Sequence, residues 1–110
     1  MSEGQQFYLI STEKEENVGY LAVTEMETDK WFMNKFYIRA IKRMCGIGSI
    51  ALKLWEQIAH PTKLSLQVNR RNFKSVNFYF KSGFKIEKVA DFDIGEGYSM
   101  DDFIMVKKYA

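Results

Sequence analysis

Apolar and polar positions along the chain divide it into eight segments. Phe7 to Ile10 and Val18 to Thr24 are rich in aromatic and β-branched residues and are separated by the polar run Ser11 to Asn17, which predicts an antiparallel hairpin. Glu25 to Lys30 leads into Trp31 to Ile38, a third strand that continues the meander. Ile47, Ile50, Ala51, Leu54 and Ile58 then recur at helical spacing and Pro61 stops the pattern, which predicts a helix over roughly Ser49 to Ala59 with those residues facing the core. Leu64, Leu66 and Val68 alternate with polar residues as a strand expected to run parallel to the third, because a helix joins the two. Asn72 is placed to cap a second helix with Val76, Phe80 and Phe73 inward, and Gly83 falls just past its end. Phe84 to Ala90 reads as a strand, Asp91 to Asp102 as an acidic loop, and Phe103 to Lys107 as a last strand. The order is β-β-β-α-β-α-β-β, an α+β chain with a mixed, mostly antiparallel sheet flanked by helices.

The segment between the third strand and the first helix, Arg43-Met44-Cys45-Gly46-Ile47-Gly48-Ser49, carries the first candidate chemistry. Its glycines leave backbone N–H groups uncovered, and the first turn of a helix adds N–H groups without internal partners at the positive end of the helix dipole. An anion, phosphate above all, suits such a turn.

Charge sharpens the contrast along the chain. Residues 91–102 hold Asp91, Asp93, Glu96, Asp101 and Asp102 and no lysine or arginine, so the net charge of +2 divides into −5 there and +7 elsewhere. Arg39, Lys42, Arg43, Arg70, Arg71 and Lys74 gather around the expected anion turn and the second helix. At 110 residues the chain is expected to form one domain. No apolar run approaches the roughly 20 residues that cross a bilayer, and the N-terminus lacks the basic and apolar regions of a signal peptide. With a single cysteine, Cys45, no internal disulfide can form, and a cytoplasmic protein is expected.

Two blocks give these features a family context. Arg43-Met44-Cys45-Gly46-Ile47-Gly48 matches the cofactor signature of the GCN5-related N-acetyltransferases, in which Gln or Arg is followed after two residues by Gly and, one residue later, by Gly or Ala. The second block, Leu66-Gln67-Val68, Asn72, Ser75, Phe78-Tyr79 and Gly83-Phe84, follows in the family's order and spacing. The chain therefore resembles that family from about Val18 to Lys107. The resemblance implies acetyl-CoA as co-substrate, no metal, and a primary amine as acceptor. It implies that the amides of Met44 to Ser49 hold the pyrophosphate with the charge of Arg43, and that Phe36, Tyr37 and Ile38 offer a strand edge to the pantetheine arm. The acyl group would lie where the strands carrying Tyr37 and Val68 splay. Asn72 would add a pantetheine hydrogen bond to its capping role, and Ser75 stands where the family usually has Ala and packs against the cofactor. Tyr79 is the implied general acid for the departing thiolate.

Departures from the family pattern matter equally. The third strand, Trp31 to Tyr37, carries no carboxylate to serve as general base, which leaves a bound water, Asn34 or an acid from residues 91–102. His60, at a helix end before Pro61, reads as a surface residue. The acidic segment, Asp101 and Asp102 included, would attract a cationic acceptor such as a polyamine or a lysine side chain. The family's usual first strand and helix pair have no counterpart here, and the strand edge at Phe7 to Ile10 would favour a homodimer. The rival reading is a non-catalytic acyl-CoA sensor or partner-binding module of the same fold. A nucleic-acid-binding role rests only on Arg70-Arg71 and local positive charge and is not expected.

Overall fold

The computed structural model describes residues 5–11, 17–39, 46–93 and 99–109. Among these described residues, six strands and two helices follow the expected order: β1 (Gln5–Ser11), β2 (Asn17–Glu27), β3 (Lys30–Ile38), α1 (Ile47–Ala59), β4 (Lys63–Asn69), α2 (Phe73–Lys81), β5 (Lys85–Asp93) and β6 (Ser99–Lys108). They fall into two compact units, residues 1–62 and 63–110.

In the first unit β1, β2 and β3 form an antiparallel meander. Leu21, Val23, Trp31 and Met33 bury one face of it, and α1 contributes Leu52 and Trp55 to the same core, with the Trp31 and Trp55 rings meeting edge to face at 5.5 Å. The other face carries a row of rings across the three strands, Phe7 stacked on Tyr20 at 5.3 Å and Tyr20 beside Tyr37 at 5.6 Å. The helix is therefore seated by a different face from the one its sequence suggested: Ile50, Leu54 and Ile58 are 58%, 55% and 65% exposed. Both faces of α1 are apolar, so periodicity alone cannot choose between them, and the bulk of Trp55 against Trp31 decides it.

Two backbone details shape β2 and β3. Gly19 pairs with Ile38, and the strands approach so closely there that a Cβ on Gly19 would overlap the carbonyl oxygen of Tyr37 and sit 3.1 Å from the Ile38 Cα. Gly19→Ala is expected to destabilise the protein by about 1–3 kcal/mol, measured by urea denaturation, because the obstructing atoms are backbone and cannot swing aside. An unchanged midpoint would show that the strands can separate there at no cost. Farther along, Ala22 pairs with Lys35 and Val23 with Met33, so Asn34 is the extra residue of a β-bulge.

In the second unit β6 lies between β4 and β5, with both pairings antiparallel. Leu66 opposite Met105 and Val68 opposite Phe103 share one face, and α2 lies over it, since the Cβ position of Gly83 is 3.2 Å from Lys107 Cε. Val76 and Phe84 complete this core, whereas Phe73 and Phe80 are 71% and 45% exposed, contrary to the inward positions expected for them. Strands β5 and β6 also reach farther than the sequence suggested: Asp91 pairs with Asp101 and Ala90 with Asp102, so both ends of the expected acidic loop are ladder. Residues 94–98 lie outside the described residues.

Candidate functional site

Helix α1 opens on Gly46, whose φ of 72° and ψ of 11° are left-handed, a conformation that costs a residue with a Cβ roughly 1–2 kcal/mol. Among the described residues no side chain caps this end and none approaches within 4 Å of the Gly46 Cβ position, and the first turn of the helix holds no acidic residue. The first helical N–H groups, those of Ile47, Gly48 and Ser49, precede any residue that could receive an i to i−4 bond from them within the helix. Together they form a positive, uncrowded helix end whose natural complement is an anion. Arg43, Met44 and Cys45, expected at the same turn, lie outside the described residues. Upstream, Phe36 is half-buried, Tyr37 is 42% exposed and Ile38 is buried in β3, the last strand of the meander.

Helix α2 brings three expected residues together on one element. Asn72 caps it, accepting the Ser75 N–H at 3.4 Å, as its position in the sequence predicted. Gly83, with φ of 104°, sits just beyond the C-terminus, and the Phe84 N–H returns to the Tyr79 carbonyl oxygen at 2.9 Å. That return packs the Phe84 ring against Tyr79 at 5.4 Å, with Phe78 on the neighbouring side at 5.5 Å. Burial among these rings pushes the Tyr79 phenol up to about 12, so at neutral pH it stays protonated and keeps a proton to donate.

The expected acids and bases separate on inspection. Asn34, at the bulge of β3, accepts the Thr24 hydroxyl at 2.7 Å. Asp101 is ion-paired with Arg70 at 2.6 Å, and the Arg70 guanidinium also lies 5.9 Å from the Phe103 ring centre. Asp102 is buried and accepts from Gln67 and Asn69, two residues that sequence reasoning passed over as ordinary outward positions of β4. His60 ends α1 in a left-handed conformation and is exposed, consistent with a surface role. No cluster of potential metal ligands occurs among the described residues, and none of their helices is long and apolar enough to cross a membrane.

Residues 1–84 match the acetyltransferase (GNAT) family. The chain belongs to that family. As a member of the GNAT family it also has the expected structural likenesses. The PaiA N-acetyltransferase of Thermoplasma acidophilum, solved in complex with coenzyme A, is 27% identical with a TM-score of 0.78; the match covers 96% of this chain and 62% of that one. A GNAT family acetyltransferase from Elizabethkingia anophelis with acetyl-CoA bound shares the fold at 16% identity and a TM-score of 0.78, over 96% and 77% of the two chains. The IAA acetyltransferase of Bacillus cereus does so at 17% identity and 0.77, over 96% and 79%. The present chain thus spans about three-fifths of the length of the Thermoplasma protein. No curated protein matches it in sequence. The α+β GNAT fold inferred from two short sequence blocks is the fold observed.

Proposed function

We propose that this GNAT member is an acetyl-CoA-dependent N-acetyltransferase whose acceptor is a primary amine on a cationic small molecule or a lysine side chain. The observation that carries the proposal is the uncapped, left-handed entry to α1 at Gly46, an anion slot at the position of the family's cofactor signature. In this reading the amides of Met44 to Ser49 and the charge of Arg43 hold the pyrophosphate. Phe36, Tyr37 and Ile38 run beside the pantetheine arm, and Asn72 and Ser75 meet it from the second helix. Solved structures of the fold with coenzyme A or acetyl-CoA bound support the choice of cofactor.

The reaction is direct attack within a ternary complex. The neutral amine nitrogen bonds to the thioester carbonyl carbon, the carbon–sulfur bond breaks, and the sulfur leaves with the electron pair. Tyr79 donates its phenolic proton as charge develops on that sulfur, and the proton lost by the amine passes to a base or to water. Holding the amine and the thioester together supplies a large share of the acceleration, which suits a β3 without a carboxylate. The same missing carboxylate favours one alternative, an acyl-CoA-binding sensor without turnover.

Calorimetric titration with acetyl-CoA, followed by measurement of free CoA release with a panel of amines, tests the proposal. The expected result is one cofactor per chain and amine-dependent release. Binding without release for any amine selects the sensor, and absence of binding by the folded protein overturns both readings.

A further inference from the structure

Helix α2 starts directly after a short connection from β4, made by Arg70, Arg71 and Asn72. The Asn72 N–H closes it on the Asn69 carbonyl oxygen at 2.9 Å, and the Asn69 side-chain oxygen accepts the Arg71 N–H, also at 2.9 Å. Asn69, Arg71 and Asn72 are exposed, and hydrogen bonds there net little against water, so local bonds alone would hold this turn weakly. The last strand supplies what the turn lacks. Consecutive residues of β6 point to opposite faces, and its two aspartates take hold of consecutive residues, Asn69 and Arg70. On the face shared with Phe103, Asp101 pairs with the Arg70 guanidinium, but the two side chains are 40% and 38% exposed and the pair holds loosely. On the other face Asp102 is buried, and its Oδ1 accepts from Asn69 Nδ2 at 3.2 Å.

A buried carboxylate has no water to fall back on, so its protein donors are kept in place. An amide between Asp102 and the Arg71 N–H also has a single workable orientation. The carboxylate can only accept and the N–H can only donate, so Asn69 turns Nδ2 to one and Oδ1 to the other. The buried charge is thereby linked through one side chain to the entry of α2. Asn72 follows, capping the Ser75 N–H and receiving the Val76 N–H on its carbonyl oxygen at 3.0 Å. Tyr79 lies on the same helix, whose far end is fastened by the Phe84 N–H on the Tyr79 carbonyl oxygen. We infer that Asn69, oriented by Asp102, is a positioning residue that fixes the first turn of α2 and so aligns Asn72, Ser75 and the Tyr79 phenol.

Gln67 supplies an internal control. Its Nε2 donates to Asp102 Oδ2 at 2.7 Å, yet among the described residues it makes no hydrogen bond to the connection between β4 and α2. Gln67→Ala and Asn69→Ala each take one donor from the same buried carboxylate, and both should lower the melting temperature. Only Asn69→Ala also releases the entry of the helix. The kinetic consequence rests on the acetyltransferase reading, whereas the positioning does not.

The test measures kcat at saturating acetyl-CoA and amine on folded protein. It is expected to fall on the order of tenfold in Asn69→Ala and to stay within about twofold of the unaltered protein in Gln67→Ala. Equal kcat in the two variants overturns the inference while acetyl transfer itself stands. Amide hydrogen exchange gives a second reading that needs no substrate. The Ser75 and Val76 N–H groups should exchange faster in Asn69→Ala and at the unaltered rate in Gln67→Ala, and matching rates overturn the positioning. Asn69→Asp keeps an acceptor for the Arg71 N–H but sets a second carboxylate against Asp102, so its first turn should exchange as fast as that of Asn69→Ala. An unaltered rate there would show that the local turn suffices without the last strand. If the unaltered protein acetylates no amine, the reaction proposal fails and hydrogen exchange alone decides the positioning.

Discussion

Tyr79→Phe is expected to lower kcat by about 10²-fold or more while leaving the acetyl-CoA dissociation constant unchanged within about twofold. The substitution keeps the ring that packs on Phe84 and Phe78 and deletes only the donor. Affinity measured by calorimetry reports the unchanged packing and single-turnover kinetics reports the lost proton. Equal kcat in the variant would remove Tyr79 from the mechanism, and a parallel loss of affinity would make it a binding residue instead. An independent signature comes from alkaline titration. The folded protein holds this proton up to about 12, whereas an exposed tyrosine releases it near 10. Below 10 both states are protonated and the group contributes its full stability. Between 10 and about 12 the unfolded chain alone ionises, so stability falls as pH rises through that interval. Tyr79→Phe should lack this part of the alkaline decline in thermal unfolding, even if other tyrosines still contribute theirs.

Gly48→Glu is expected to weaken acetyl-CoA binding by about 100-fold or more without lowering stability. Gly48 is the second residue of α1 and helical, so a side chain there faces none of the backbone strain that Gly46 would impose. A glutamate in a first turn also interacts favourably with the helix dipole, and replacing a helical glycine raises propensity by roughly 0.5–1 kcal/mol. The same carboxylate would stand where the pyrophosphate is proposed to sit. A melting temperature that holds or rises while affinity collapses would separate the loss of an anion site from damage to the fold. Gly48→Gln should fall between the two proteins, because it adds bulk without charge. Unchanged affinity in Gly48→Glu would place the pyrophosphate elsewhere.

Strand alternation, a capping asparagine and two glycines at helix ends were enough to read the order of elements, since each is a local property of the chain. Asn72 and Gly83 behave as their neighbours in sequence required. The faces of the helices were less legible. Ile50, Leu54 and Ile58 form as good an apolar stripe as Leu52 and Trp55, and only the partner surface with Trp31 selects between them. Gly19 gave no signal at all, because a glycine inside an apolar strand looks like any weak position until the approach of Tyr37 is known. In the sequence Asp101 and Asp102 look like equivalent members of an acidic loop. Once the ladder extends to them, the two-residue period of a strand gives them opposite surroundings, one with an arginine and the other with two amides. The helix entry at Gly46 is legible because its requirement is conformational, and a glycine standing before an apolar helical pattern is something that sequence can announce.

The paired indoles of Trp31 and Trp55 make the protein its own optical probe. These are the chain's two tryptophans, both lie in residues 1–62, and their Nε1 atoms are buried with no hydrogen-bond partner among the described residues. Blue-shifted emission from a dry environment should therefore report the state of the first half only, while residues 63–110, lacking the chromophore, stay dark. Backbone circular dichroism reads both halves at once. Overlaying the two melting curves would show whether the halves give way as one cooperative body or in succession.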